Sequence, residues 1–415
     1  MGNKNAKAAK AAVNGSVGCS EKIFGGGERV GAGGRGWRFY VPLYAVLAVV
    51  AALFVFTGGE AAKGFINLGS TNIKYVKAQV LELDNSQLAK PEYGGDRLTG
   101  LQTVKLKLLE GEFAGRTVTV ENYLLSDFYV YPEVGKTVVA SVENRGEGTA
   151  PYCLLVSHYR MPGILFLLIL FAVMHIVTCG VKGIHALAGL AFTMVTIFFF
   201  TIPMIYYGHS PVLLAIATGM ISATVSLVLL NGIGRKTLVA VLASYLGFCF
   251  AGVTFSIFSM LGNVNGYNVP QMGTLAYFSA QTGLQVEHIL FAGVLIASLG
   301  GVMDVGISVA SAVQEVFRAD PSLSRRSLYR AGLEVARDTS GTMSTTLILV
   351  FTGGSLSTLI AMVAYGIQVN RLFNSDFISV EIGQGLSASV ALLLTAPLSS
   401  LLASLIYKWK PKPVA

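Results

Sequence analysis

Long uncharged apolar tracts alternate with short polar segments along most of this chain. A helix needs about 20 apolar residues to cross a bilayer core. Backbone groups in lipid must also hydrogen-bond within their own segment, which favours helices over isolated strands. The pattern therefore predicts eight membrane-spanning helices, at 39–57, 161–178, 186–207, 211–231, 237–262, 288–312, 345–366 and 385–407.

One sizeable polar block, residues 58–160, separates the first apolar tract from the second. The segment EGEFAG (110–115) within it predicts a hairpin connection with glycine at the turn. About a hundred residues with roughly five short strands favour a small β-barrel of OB-like or similar type. The segments that alternate apolar with polar residues, as half-buried strands do, are 75–84, 102–111, 115–124 and 135–144.

Composition favours a membrane protein. Charged residues make up 13% of the 415 residues and hydrophobic residues 53%, whereas soluble domains usually carry about 25% charged residues. The four cysteines show no metal-ligand spacing, so we expect neither a structural zinc nor another cofactor. The basic residues follow the ends of the apolar tracts and not one face of a fold, so nucleic-acid binding is not expected.

The positions of Lys and Arg predict the orientation of the spans. Seven lie within residues 1–38 and others follow the second, fourth, sixth and eighth spans, whereas the loop 262–286 has none. Cytoplasmic loops carry an excess of Lys and Arg, so both termini are predicted to be cytoplasmic. The first span lacks a small-x-small cleavage site, which favours an uncleaved signal anchor over a cleaved signal sequence.

These patterns predict an α-helical polytopic membrane protein with an extracytoplasmic β-barrel-like (OB-like) domain between its first two helices. The predicted parts are a disordered basic cytoplasmic tail (1–38), transmembrane helix 1 (39–57), the extracytoplasmic β-rich domain (58–160), a seven-helix transmembrane bundle (161–407) and a basic cytoplasmic tail (408–415).

The sixth predicted span carries a carboxylate in its apolar centre. A charged group in lipid costs about 3 kcal/mol or more, so we expect Asp304 to face the bundle interior or water and to serve an ion or proton pathway. The alternative is that Asp304 is a hydrogen-bonded packing residue, and Glu315 an ordinary salt-bridged carboxylate near the helix end. At about 100° per residue, one helix face carries Asp304, Ser308, Ser311 and Glu315.

The connection after the sixth span combines charges, hydroxyls and glycine. Asp320 followed by Pro321 predicts a short surface helix with Asp320 as its N-cap. The run RDTSGTMSTT (337–346) then enters the seventh span and offers hydroxyls and unpaired backbone N–H groups to an anion or substrate. The alternative is a capping and charge-anchoring segment. The pathway residues predicted here are Arg337, Asp338 and Thr342.

Glycines within the sixth and seventh spans predict close helix packing. They would support either a homo-oligomer or a closed monomer. The glycines concerned are Gly300, Gly301, Gly341, Gly353 and Gly354. The two glycines of FTGGS (351–355) are also consistent with a locally broken helix.

Three stretches resemble the YibE/F-like family of bacterial multi-pass membrane proteins: GGVMDVGISVASAVQE, RDTSGTMSTTLILVFTGG and NSDFISVEIGQGLSASVALLLTAPLSSLLAS. The resemblance covers about residues 70–407. The Asp-centred run and the Arg-Asp-x-x-Gly-Thr-Met run are its most specific parts. It implies a multi-pass architecture in the bacterial cell membrane and carries no assigned activity.

Two functions fit these residues. The first is a secondary transporter or permease for an unknown small solute or ion, with Asp304 as the coupling group and Arg337 and Asp338 at the cytoplasmic mouth. The second is a non-transporting scaffold or sensor whose extracytoplasmic domain binds a protein partner while the bundle sits in the lipid bilayer. An enzyme is not expected, because the chain has no HExxH motif, no nucleophile elbow with credible partners and no second intramembrane Asp.

Overall fold

The computed structural model describes residues 151–408 continuously, and parts of the chain before them. Residues 1–53 and 54–415 form separate units, and every element numbered below belongs to the second. The predictions for the tail 1–38, part of the first span and nearly all of the tail 408–415 lie outside the described residues. The earlier described residues are 73–90, 97–125, 129–144 and, in helical conformation, 44, 45, 47–52, 54 and 56.

The polar block folds as one five-stranded antiparallel sheet in the order β3-β2-β1-β4-β5. Strands β3 and β5 at its two edges approach each other, so the sheet curves into a half-barrel. Inward residues such as Val76, Ala78 and Val80 alternate with outward ones, as the pleat of a strand requires. The strands are β1 (Ile73–Ala89), β2 (Thr99–Leu108), β3 (Thr117–Leu124), β4 (Thr137–Glu143) and β5 (Tyr152–His158).

The predicted hairpin between β2 and β3 is present. The Leu108 N–H donates to the Arg116 carbonyl at 3.0 Å. Gly111 and Gly115 have φ angles of 86° and 84°, which glycine adopts without steric cost. Strand β5 is a further strand that the alternating pattern did not locate.

The helices that follow the sheet match the predicted apolar tracts, although several extend further. Among the described residues, α1, α2, α3, α4, α6 and α10 are each long and apolar enough to cross a membrane. The helices are α1 (Met161–Cys179), α2 (Val181–Tyr206), α3 (Pro211–Asn231), α4 (Arg235–Gly262), α5 (Met272–Thr282), α6 (Ile289–Ala319), α7 (Arg325–Gly354), α8 (Leu356–Ala364), α9 (Val369–Phe373) and α10 (Asp376–Tyr407).

The predicted seventh span, 345–366, is broken. Helices α7 and α8 meet at Ser355 with a bend of 54°, so they form a seventh candidate span only if the bent pair is counted as one. Glycines at 353 and 354 precede this break, and such pairs are a common site of kinks in helices.

The predicted surface helix beginning at Asp320 is wrong. Asp320 instead closes a turn, because its carboxylate accepts hydrogen bonds from the N–H and hydroxyl of Ser322, and these bonds lower the pKa of Asp320. The helix begins at Arg325, where the Ser324 hydroxyl accepts from the Ser327 N–H at 3.1 Å. From there α7 continues without interruption, so the expected surface helix and the start of the seventh span are one helix.

Helix α6 lies at the centre of the bundle and packs against α3, α4, α7 and α10. Helix α10 runs parallel to it, since Gly293 lies beside Gln384 and Gly301 lies beside Leu392. The Ser399 hydroxyl of α10 donates to the Gly306 carbonyl of α6 at 3.0 Å. This parallel pair forms the frame on which the candidate site is built.

Candidate functional site

Asp304 is the central residue of α6 and points away from the core of the bundle. Val302, Val305 and Val309 on the same helix are fully buried, whereas Asp304 is exposed. Its carboxylate makes no hydrogen bond or ion pair with any other described residue. Branched apolar side chains therefore occupy the packed side of α6, and the carboxylate is left on the side that no other described helix covers.

The polar residues predicted beside Asp304 share its uncovered face, which we call the α6 open face (Asp304, Ser308, Ser311 and Glu315). Ser308 and Ser311 are half-buried, and the Ser311 hydroxyl donates to the Ile307 carbonyl at 2.6 Å. Glu315 is exposed and pairs with Arg318 at 2.9 Å. An exposed pair of this kind contributes at most about 1 kcal/mol, so Glu315 fits the salt-bridge alternative.

Helix α7 presents a second polar stripe, the α7 open face (Arg337, Asp338, Gly341, Thr342 and Thr345), and all five residues are exposed. The opposite side of α7 is buried along a stripe with four-residue spacing. Neither Arg337 nor Asp338 forms an ion pair with another described residue. The buried stripe consists of Leu328, Gly332, Ala336 and Ser340.

The run 337–346 lies inside α7, so its backbone N–H groups are used by the helix and the expected set of free donors is absent from this described segment. Its threonine hydroxyls are turned back onto the helix. Thr342 donates to the Thr339 carbonyl at 3.0 Å, and Thr345 donates to the Gly341 carbonyl at 3.1 Å. Such bonds satisfy threonine within a helix, which explains how a hydroxyl-rich run remains helical.

The two open faces belong to helices that touch. Gly301 of α6 lies beside Leu347 of α7, and Gly332 of α7 lies beside Val313 of α6, so the helices are antiparallel. Gly301 is about 60° round the helix from Asp304, so α7 forms one flank of the α6 open face. Along the helix axis, Asp304 is then at about the same height as Ser344. Ser344 is roughly 9 Å along the axis from Asp338.

Two hydroxyls at this level of α7 are buried without a partner. The Oγ atoms of Ser340 and Ser344 make no hydrogen bond to any described residue. A buried hydroxyl usually has a hydrogen-bond partner, so a water molecule would complete the bonding of these two.

The predicted packing glycines divide into two kinds. A Cβ on Gly301 would come within 2.9 Å of the Leu392 side chain, so this glycine allows close packing of α6 and α10. The others have open space where a Cβ would be, so they do not mediate packing within one chain. They are Gly300, Gly341, Gly353 and Gly354. Glycines that do bring helices together, and which the pattern did not single out, include Gly247, Gly332 and Gly383.

A second acidic residue, Glu381, lies in the bundle outside the predicted spans. Helix α10 begins at Asp376, nine residues before the predicted span, with the Ser375 hydroxyl as its N-cap. Glu381 lines a mainly apolar cavity of about 340 Å³ formed by α7, α8, α9 and α10. The sequence NSDF carried the signal, since Ser followed by Asp is typical of a helix start.

A buried threonine pair between α2 and α3 also escaped the sequence pattern. The hydroxyls of Thr201 and Thr218 are 2.6 Å apart, and the Thr201 hydroxyl also donates to the Thr196 carbonyl at 3.1 Å. One turn of π-helix, Ile197–Thr201, lies here just before Pro203. Proline lacks the N–H that an α-helix would use. Such turns are frequent at functional sites.

The geometry defines a class: a bundle of long apolar helices with a carboxylate halfway along its central helix, together with an antiparallel half-barrel sheet. Residues 167–409 match the YibE/F-like protein family. Because the match covers more than half of the chain, the protein belongs to the YibE/F-like family. The matched region runs from α1 to the end of α10 and does not include the sheet. No curated protein and no solved structure matched the chain.

Proposed function

We propose that this protein is a secondary transporter or permease of the cell membrane that carries a small solute or ion. The observation that carries the proposal is the unpaired Asp304 carboxylate at the centre of α6. A carboxylate at that depth is costly and is retained mainly where it binds an ion, a proton or a substrate. Asp304 would be the residue that couples transport to a proton or cation.

The polar residues lie on one side of Asp304 along the helix axis, which supports a pathway toward one end of the bundle. Ser308, Ser311 and Glu315 follow Asp304 toward the end of α6, and Arg337 and Asp338 occupy the same half of α7. The charge pattern predicts this end to be cytoplasmic. Ala297 and Gly300 on the other half are small and apolar. The arrangement supports a state open to the cytoplasm and closed on the other side.

We place the half-barrel sheet outside the cytoplasm and interpret it as an OB-like domain. The strand order β3-β2-β1-β4-β5 with β3 near β5 is the cyclic order of a five-stranded barrel of that type. Such a domain next to a pathway could bind solute or a regulatory protein. Both termini would be cytoplasmic, and catalysis is not part of the proposal.

A scaffold or sensor is the second candidate, and the sheet supplies the observation that favours it. A cleft of about 170 Å³ is lined by Lys74, Glu110, Glu112 and Asn144. Lys77 hydrogen-bonds Glu110 and lowers the pKa of that carboxyl, so the rim is charged at neutral pH. A polar charged cleft of this kind suits a peptide or protein partner.

The proposal is tested by proton and monovalent-cation flux into liposomes that contain the purified protein. Asp304→Asn should reduce flux by about 100-fold or to background, as expected when a positioned proton-transfer group is lost, and Asp304→Glu should retain part of it. Asp320→Asn is the matched control, because Asp320 lies in the turn after α6 and should leave flux unchanged. Flux that survives Asp304→Asn would exclude Asp304 as the coupling residue. Absence of flux for every cation in folded wild type would favour the scaffold.

A further inference from the structure

The two open faces place ionisable groups on the outside of the bundle at membrane depth. Asp304 is at the centre of α6, and Arg337 and Asp338 are about 9 to 11 Å from its level. All three are therefore within the half-thickness of the hydrocarbon core, about 15 Å. They are exposed and have no ion-pair partner among the described residues. Charged groups at this depth face protein or water and not lipid.

We infer that a second copy of this chain covers the open faces of α6 and α7, so that two copies complete the site. Arg337 and Asp338 provide the charge complementarity. A two-fold axis along the membrane normal sets α7 of each copy parallel to its counterpart, with equivalent residues at the same level. Arg337 of one copy then pairs with the partner's Asp338, and the symmetric pair forms at the same time.

The shape of the open faces agrees with close helix approach. Gly300 and Gly341 have open space where a Cβ would be, unlike the glycines that pack within the chain. Gly341 and Thr345 are four residues apart on the α7 open face, and small residues at this spacing let membrane helices come close together. Gly300 and Gly341 would then pack between two copies.

The partner's α6 and α7 would supply the second wall of the pathway that begins at Asp304. This assignment of the pathway to the interface rests on the proposed function, whereas the dimer itself does not.

Disulfide crosslinking in the membrane tests the dimer. In full-length protein with Cys19, Cys153, Cys179 and Cys249 replaced by serine, Gly341→Cys should give a covalent dimer on mild oxidation. Thr345→Cys, one turn further along the same face, should do the same if Gly341→Cys fails to fold. Val253→Cys is the matched control, because Val253 is 56% exposed on α4, away from both open faces, and should stay monomeric. Equal crosslinking at all positions, or none at the two α7 positions, would overturn the dimer.

Charge exchange tests the pairing of Arg337 with the partner's Asp338. Arg337→Asp in the Gly341→Cys protein should abolish the crosslink, because four carboxylates would then meet at the interface. Adding Asp338→Arg reverses both charges and should restore the crosslink to its original yield. A double variant that stays monomeric while remaining folded would overturn this pairing.

The liposome flux assay separates this inference from the proposed function. A crosslinked dimer without flux would support the dimer and reject the transporter. A protein that shows Asp304-dependent flux but no crosslink at either α7 position would keep the transporter and reject the dimer.

Discussion

At the scale of single residues, close packing of the helices depends on glycines at helix contacts, such as Gly247. It does not depend on most of the glycines that the sequence pattern predicted as packing residues, which have open space where a Cβ would be. A Cβ on Gly247 of α4 would lie 2.3 Å from both the Thr395 hydroxyl of α10 and the Val302 side chain of α6. No side chain fits there unless three helices move. Gly247 is therefore a point at which α4, α6 and α10 meet closely.

Gly247→Ala should destabilise the protein by about 1 to 3 kcal/mol, because an added methyl group overpacks the contact. Thermal unfolding in detergent measures the change. Gly353→Ala, where a Cβ has open space, is the control and should be neutral or slightly stabilising, since alanine favours a helix. Equal unfolding temperatures for the two variants would show that α4 does not pack as described.

The direction in which the Asp304 side chain points was predicted only in part by the sequence. Helical periodicity placed Asp304, Ser308, Ser311 and Glu315 on one face, and the structure keeps them together. Periodicity could not show which helices cover that face, because this depends on contacts distant in sequence such as Gly301 with Leu392. The Asp304 carboxylate faces outward because these contacts lie on other sides of α6.

At the scale of elements, the beginning of α7 differs most from expectation. Asp320-Pro321 and Ser324 are both plausible helix starts by residue type. The Asp320 carboxylate is used by Ser322, and the Ser324 hydroxyl is left to cap the helix. The choice between two such caps depends on where the chain turns after α6, which sequence composition does not specify.

Ser324→Ala should therefore destabilise α7 by about 1 kcal/mol, the usual cost of a lost N-cap. Ser324→Asp should retain most of the stability, because aspartate also accepts from the N–H groups of the first turn. The unfolding temperature of purified protein reports both. If Ser324→Ala were silent and Asp320→Ala costly, the helix would begin at Asp320 after all.

The apolar tracts predicted the helices of the bundle well, because about 20 apolar residues are a strong and local signal. Helix ends were less predictable. Polar segments such as 376–384 of α10 and 325–333 of α7 are helical although they lie outside the predicted spans. Helices that leave the bilayer core continue into water with ordinary side chains, so hydropathy marks the core and not the helix.

At the scale of the whole molecule, the chain combines a half-barrel sheet with a bundle in which the described residues leave polar faces of α6 and α7 uncovered. The alternation of residues predicted the strands, since each inward side chain packs on one core. The family match is confined to the bundle, so the open faces of α6 and α7 belong to the part that the family shares. This supports a function located in the bundle.

In the proposed transporter, the α6 open face meets water at the middle of the membrane. Labelling of Ser308→Cys with a membrane-impermeant maleimide, in protein whose native cysteines are replaced, tests it most directly. A maleimide reacts with the thiolate, which forms only where water reaches the sulfur. We expect Ser308→Cys to be labelled in intact membranes and Val253→Cys, on the apolar outside of α4, to remain unlabelled. Failure to label Ser308→Cys in folded protein, or equal labelling at both positions, would contradict it.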